Sequence, residues 1–247
     1  MQIDGGMKRD SRDGYWSLRW RALSWRARDL MRLAFTGHAR KVWRTVARRI
    51  YSNSASLGLH RDITVPFAAP AARVPIAVRP LAPDDDLSCL DFHEPGLSDD
   101  EVFDRLGETR LLQSGIPTCH VAVGPQAKPA YMEWLITPKD YERVHAFFGN
   151  LYPTLAPDEV LLEGGYTPGA YRGKGVMPSA VAQIAERAGD MGARWVITFV
   201  DEGNVGYLKG AAKAGFVPYV RRREEYRLFR RRVTFVPLAA QDQGPGP

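Results

Sequence analysis

Tyr166-Thr-Pro-Gly-Ala-Tyr-Arg-Gly-Lys-Gly-Val-Met177 is the segment that governs how the rest of this chain is read. It has the form of a strand end running into a glycine-rich loop, with a helix beginning on the far side. Such a loop aims several backbone N–H groups and the positive end of a helix dipole at one point, and a point of that kind binds phosphate. Arg172 and Lys174 add fixed charge. Gly173 and Gly175 let the main chain approach an anion with no Cβ in the way.

On the N-terminal side, Glu159–Thr167 reads as the strand that feeds this loop, and Gly164-Gly165 within it predicts a bulge. Before it come a hairpin, His120–Val123 with Ala130–Ile136, and a helical stretch over residues 138–152. A further helix is expected over Ser98–Leu112, where Ser98-Asp-Asp-Glu101 forms a capping box. Val74–Pro80 is expected to be a short opening strand, and Asp84-Asp-Asp86 a helix start. On the C-terminal side, Val176–Met191 should be helix and Arg194–Val200, nearly all apolar, a central strand. Asn204–Ala214 follows as a short helix stopped by Gly215, and Phe216–Val220 and Tyr226–Phe235 as a closing strand pair.

The chain has 247 residues, 45% of them hydrophobic, which allows one sizeable α/β domain plus an appendage. Charge is unevenly placed. Residues 1–56 hold 13 Lys/Arg against 4 Asp/Glu, a net of +9, whereas residues 57–247 hold 21 against 24, a net of −3. The basic character therefore belongs to the N-terminal end, and the domain has no charge signature of nucleic-acid binding. Residues 1–56 are expected to form a basic amphipathic helical arm, with Trp16, Trp20, Leu23, Ala27, Leu30, Met31 and Ala34 on one stripe and Val42, Val46 and Ile50 marking a second helix. Residues 57–73 read as a linker, 74–240 as the folded domain, and 241–247 as a disordered tail.

Cys89 and Cys119, without a Cys/His cluster, suggest reduced thiols and no metal site. No signal-like or bilayer-spanning run is present, so the expected location is cytoplasmic. Cations interleaved with tryptophans in residues 15–51 could bind the inner face of an anionic membrane, or a partner protein.

Two motifs carry a family resemblance. Arg172-Gly-Lys-Gly175 resembles the coenzyme A pyrophosphate loop of the GNAT superfamily of N-acyltransferases. Asn204-Val-Gly-Tyr-Leu-Lys-Gly-Ala-Ala-Lys-Ala-Gly-Phe216, about 30 residues later, resembles the later signature of that family. Ile76-Ala-Val-Arg-Pro80 is similar to the usual opening strand. Covering roughly residues 74–236, the resemblance implies an α/β GNAT fold: a mixed central sheet of about six to seven strands flanked by helices. It implies acetyl-CoA or another acyl-CoA as co-substrate, direct attack of a primary amine on the thioester in a ternary complex, and no metal. Residues Arg172, Gly173, Lys174, Gly175, Val176 and Met177 would hold the pyrophosphate, with Gly165, Tyr166, Thr167 and Asn204 along the pantetheine arm.

For the chemistry, Glu163 is the expected base, since it interrupts an apolar strand, with Glu133 as its rival. Tyr207, Tyr166 or water would protonate the leaving thiolate. Two departures from the family pattern stand out: Met177 replaces the usual Gly or Ala, and Ala211 occupies the place of a frequent tyrosine. They motivate one alternative, a non-catalytic acyl-CoA sensor or scaffold; a further alternative is a membrane-associated acyltransferase acting on lipid or long acyl chains.

Overall fold

The computed structural model describes residues 39–116 and 118–238. Its elements are α1 (Ala39–Ile50), β1 (Tyr51–Asp62), β2 (Ala77–Pro80), α2 (Asp99–Gln113), β3 (Cys119–Val123), β4 (Pro129–Ile136), α3 (Tyr141–Phe148), β5 (Glu159–Tyr166), α4 (Val176–Arg187), β6 (Trp195–Asp201), α5 (Val205–Lys213), β7 (Val217–Arg227) and β8 (Arg230–Pro237). Eight strands form one sheet in the order β2-β3-β4-β5-β6-β1-β7-β8. Only β5 and β6 run parallel. The sheet is therefore mixed, and helices cover both of its faces.

Alternation along the central strands divides the core. Leu135, Val160 and Leu162 pack against Val176, Ala180 and Ile184 of α4 on one face. Trp134, Leu161 and Ile197 meet Leu111 of α2 and Val144 of α3 on the other. This is the period-2 pattern of strands buried on both sides.

The eighth strand is β1. Residues 52–62, expected to be arm and linker, lie between β6 and β7 and pair antiparallel with both. The small polar run Ser52-Asn-Ser-Ala-Ser56 hides this strand, because its neighbours rather than its own side chains hold it. A Cβ at Gly58 would collide with Val220 and Phe199, so the sheet closes around the bare backbone. His60 stacks between Trp195 and Tyr219, with ring centroids 4.9 and 4.7 Å away. The buried Arg61 guanidinium ties β1 to α4 through Glu186 and the Ala182 carbonyl.

Other expectations shift locally. No helix starts at Asp84-Asp-Asp86. The Asp85 carboxylate instead accepts from Arg79 and from the Ala82 amide, and only a short turn of helix forms, at Ser88–Leu90. Helix α2 begins where the cap predicted, with Ser98 accepting from the Glu101 amide at 3.2 Å. Strand β7 runs on to Arg227, so the closing turn falls at Leu228–Phe229. Residues 1–38 and 239–247, with most of the arm and the whole tail, lie outside the described residues. Helix α1 occupies the place expected for the second helix of the arm. It leans on α2, with Val42 packed near Val102 and Leu106 and Lys41 paired with Asp100.

Candidate active site

The site forms where β5 leaves its neighbours. Pairing with β6 covers Glu159–Leu162 and then stops. Pairing with β4 slips between Met132 and Trp134, so Gly164 and Gly165 together oppose Glu133. Gly164 sits at φ +71°, a left-handed conformation that glycine adopts without strain. This is the bulge that the two glycines predicted. It opens a cavity of about 630 Å³ between β5, α2, the first turn of α4 and one side of α5.

One end of the cavity is built for an anion. Gly173 and Gly175 both have φ of +72°, which turns the chain sharply into α4. Of the amides from Arg172 to Met177, the first donates to the Gly169 carbonyl at 3.3 Å, and the others have no acceptor among the described residues. The Arg73 amide braces the loop by donating to the Lys174 carbonyl at 2.8 Å. Arg172 lines the cavity, with Nε on the Thr167 carbonyl at 3.0 Å and Nη2 on Glu101 at 2.6 Å. Lys209 and Lys213, one turn apart on α5, line the same end. The motif reading overlooked both lysines; the helical spacing after Asn204 was their signal.

All of the residues expected to touch the cofactor line this cavity, except Lys174. Lys174 lies 5.7 Å over the Tyr171 ring instead. Met177 packs its sulfur against Gly210, where a Cβ would not fit, so its bulk is absorbed between α4 and α5. Asn204 lines the cavity and also caps α5, accepting from the Tyr207 amide at 3.1 Å.

The other end is acidic. Tyr207 reaches in from α5, and its hydroxyl donates to Glu133 Oε1 at 2.7 Å. Glu133 is fully buried, and its carboxyl is pushed up to about 8 by burial, which outweighs the bond from Tyr207. Burial likewise raises the Tyr207 hydroxyl well above its usual value. Gly165 lies directly above this pair: a Cβ there would fall 3.0 Å from the Tyr207 ring and 3.3 Å from Glu133 Oε1.

The structure does not bring Glu163 to the cavity. Its raised carboxyl reflects burial first, moderated by Tyr152 and Arg222 on the α3 side of the sheet. The reason is the strand period: Glu163 follows Leu161 to that face, before the bulge resets the direction. Glu133, one strand over, is the carboxylate that meets the Tyr207 hydroxyl. The Tyr166 hydroxyl is also committed elsewhere, at 2.6 Å from Glu101. Ala211 is wholly buried in the core.

No protein-family model matches the sequence, and no curated protein sequence matches it either. Solved structures do. The GCN5-related glucosamine N-acetyltransferase region of a fungal multi-domain GH3 beta-N-acetylglucosaminidase superposes with a TM-score of 0.50 over 76% of this chain, at 13% identity. The chain has the GNAT fold. Two bacterial structures of that fold are also similar: a GNAT-family acetyltransferase from Colwellia psychrerythraea (TM-score 0.45, 12% identity, 76% of this chain) and a GCN5-related N-acetyltransferase from Sphaerobacter thermophilus (0.44, 16%, 75%). The chain spans 57% and 56% of the two bacterial chains and 23% of the fungal one. Among the described residues, no group of three or more His, Cys, Asp or Glu side chains is placed to hold a metal ion, and no helix is long and apolar enough to cross a membrane.

Proposed function

We propose that this protein is an acyl-CoA-dependent N-acyltransferase, in its simplest form an N-acetyltransferase, acting on a primary amine. One observation carries the reading. Gly173, Gly175, Val176 and Met177, whose amides have no acceptor among the described residues, line one cavity together with Gly165 and Tyr207. The amides, Arg172, Lys209 and Lys213 suit the phosphates of coenzyme A. The thioester would then lie at Gly165, where a main-chain N–H of Gly165 or Tyr166 supports the oxygen that gains charge.

The transfer balances within the Tyr207–Glu133 pair. The amine nitrogen bonds to the thioester carbon and the carbon–sulfur bond breaks. The proton lost by nitrogen enters the pair, and the pair returns one proton to sulfur, so Tyr207 and Glu133 end as they began. With its carboxyl near 8, Glu133 is divided between its two forms around neutral pH, which suits a group that both takes and returns a proton. Tyr207 touches the reacting atoms; Glu133 acts through it.

The test has two stages. Acetyl-CoA at about 100 times its Kd should add roughly 2.7 kcal/mol to stability. Release of free CoA with a panel of amines should then follow. Binding without release would support the sensor or scaffold reading, and binding confined to long acyl-CoAs would support the lipid-directed one.

A surface observation favours an anionic membrane as a second partner. The β7–β8 turn presents Leu228 and Phe229, 76% and 63% exposed, at φ of +47° and +66°, unusual for bulky residues. Their amides bond to the Ile50 and Arg49 carbonyls at the end of α1, next to the exposed Tyr51. Arg227 and Arg230 face each other across the strands. Apolar tips ringed by arginine suit the lipid headgroup level, where each cation contributes about 1 kcal/mol. Co-sedimentation with phosphatidylserine vesicles should fall for Leu228→Ser/Phe229→Ser; equal sedimentation by this variant removes the proposal.

A further inference from the structure

Glu108 is a buried carboxylate that the transfer chemistry leaves unused. It projects from the middle of α2 into the cavity, is only 9% exposed, and its Oε2 has no hydrogen-bond partner among the described residues. The Gly164 bulge makes room for it, since a Cβ on that glycine would fall 2.9 Å from the same oxygen. Asp104, one helical turn earlier, lines the cavity at its exposed rim.

The charges that act on Glu108 are Glu163, Asp104 and Glu133, all carboxylates. Cations in the neighbourhood are held by other groups. Arg105 is bound by Glu94 and Glu101, Arg172 by Glu101, and Arg222 by Ser56 and the rings of Tyr152 and Phe199. Burial and like charge together keep the Glu108 carboxyl well above its ordinary value, so a cation arriving beside it would displace a proton. A buried carboxylate with no paired cation among the described residues, in a cavity whose opposite end is cationic, is completed by positive charge from a ligand.

We propose that the acceptor carries two cationic amino groups, as in a diamine or polyamine, one seated against Glu108 and Asp104 while the other stands at Gly165 to be acylated. The first amine acts as a handle and stays charged. The second gives its ammonium proton to solvent before attack, and the further proton it loses on bonding to carbon passes through the Tyr207–Glu133 pair to sulfur. This assignment rests on the acyltransferase reading for the fate of the second amine, but the binding it describes can be measured without any acyl donor.

The experiment is calorimetric titration of the full chain with 1,5-diaminopentane, spermidine and 1-aminopentane, and separately with acetyl-CoA. The diamine should bind roughly tenfold or more tightly than the monoamine, the scale of a buried hydrogen bond to a charged group. Diamine binding should release protons, seen as a dependence of the heat on the buffer. Glu108→Gln should remove both the preference and the proton release while leaving acetyl-CoA affinity unchanged. The glutamine matches the protonated side chain in shape, and the rim variant Asp104→Asn, which disturbs no core, should weaken diamine binding by a smaller factor. Equal affinity for diamine and monoamine, or a preference that survives both substitutions, would overturn the proposal. Diamine binding without acetyl-CoA binding would sustain it and strike the acyltransferase reading alone.

Discussion

The two ends of the cavity are built on different principles. The cationic end is local. Its amides, glycines and Arg172 come from a single loop, and the helix that follows supplies the dipole. The acidic end is assembled from afar: Glu108 from α2, Glu133 from β4 and Tyr207 from α5 gather around the β5 bulge at Gly164 and Gly165. An anion cradle can be written into a dozen consecutive residues, because backbone does the binding. A proton-handling pair cannot, because its members need separate elements to hold them apart from water and close to each other.

That contrast predicts effects that separate cleanly. Tyr207→Phe deletes the hydroxyl shared with Glu133 and should lower kcat by about 100-fold or more, with the Kd for acetyl-CoA changed less than about twofold. A matching loss of acetyl-CoA affinity would mean that the two ends do not act independently.

The next largest effect concerns stability and pH. Glu133 holds its proton up to about 8 in the folded chain, against an ordinary value of 4.5. The native state therefore binds a proton that the unfolded state gives up, and the contribution of Glu133 to stability should be full below about 4.5 and decline as pH rises towards 8. Glu133→Gln removes that decline. Urea denaturation should show the variant gaining on the wild type between pH 5 and pH 8, by an amount on the order of a few kcal/mol. Parallel pH curves would contradict the burial argument.

The smallest effects sit at the cationic end. Lys209→Ala should weaken acetyl-CoA binding several-fold, more at low salt than at high. Lys174→Ala should change it by less than about twofold, because Lys174 leans on Tyr171 and not on the cavity. The reverse ranking would restore the simple motif reading, in which every cation of the loop grips phosphate.

What the sequence revealed follows the same division. The glycine loop, the bulge, the cap at Ser98 and the apolar strand β6 were legible because each is specified by neighbouring residues. Glu163 was preferred over Glu133 because strand periodicity alone does not say which of two adjacent strands turns a carboxylate towards a third element. Glu108 was hidden in a helix whose apolar face is broken by buried charge. Strand β1 was the largest omission. Its Ser-rich segment lacks the branched and aromatic residues that mark most central strands, and its burial is conferred by Val220, Phe199, Trp195 and Tyr219.

The place of β1 has a temporal side. This strand leaves the ribosome well over a hundred residues ahead of β6 and β7, the two partners that flank it. Until both have emerged, its peptide groups have no ladder to join, and the nascent sheet has a vacant slot lined by unpaired edges. The last event in forming this domain is thus expected to be the insertion of its first strand, a long-range closure that sets the pace of folding. A chain cut to begin at Val74 would never complete it.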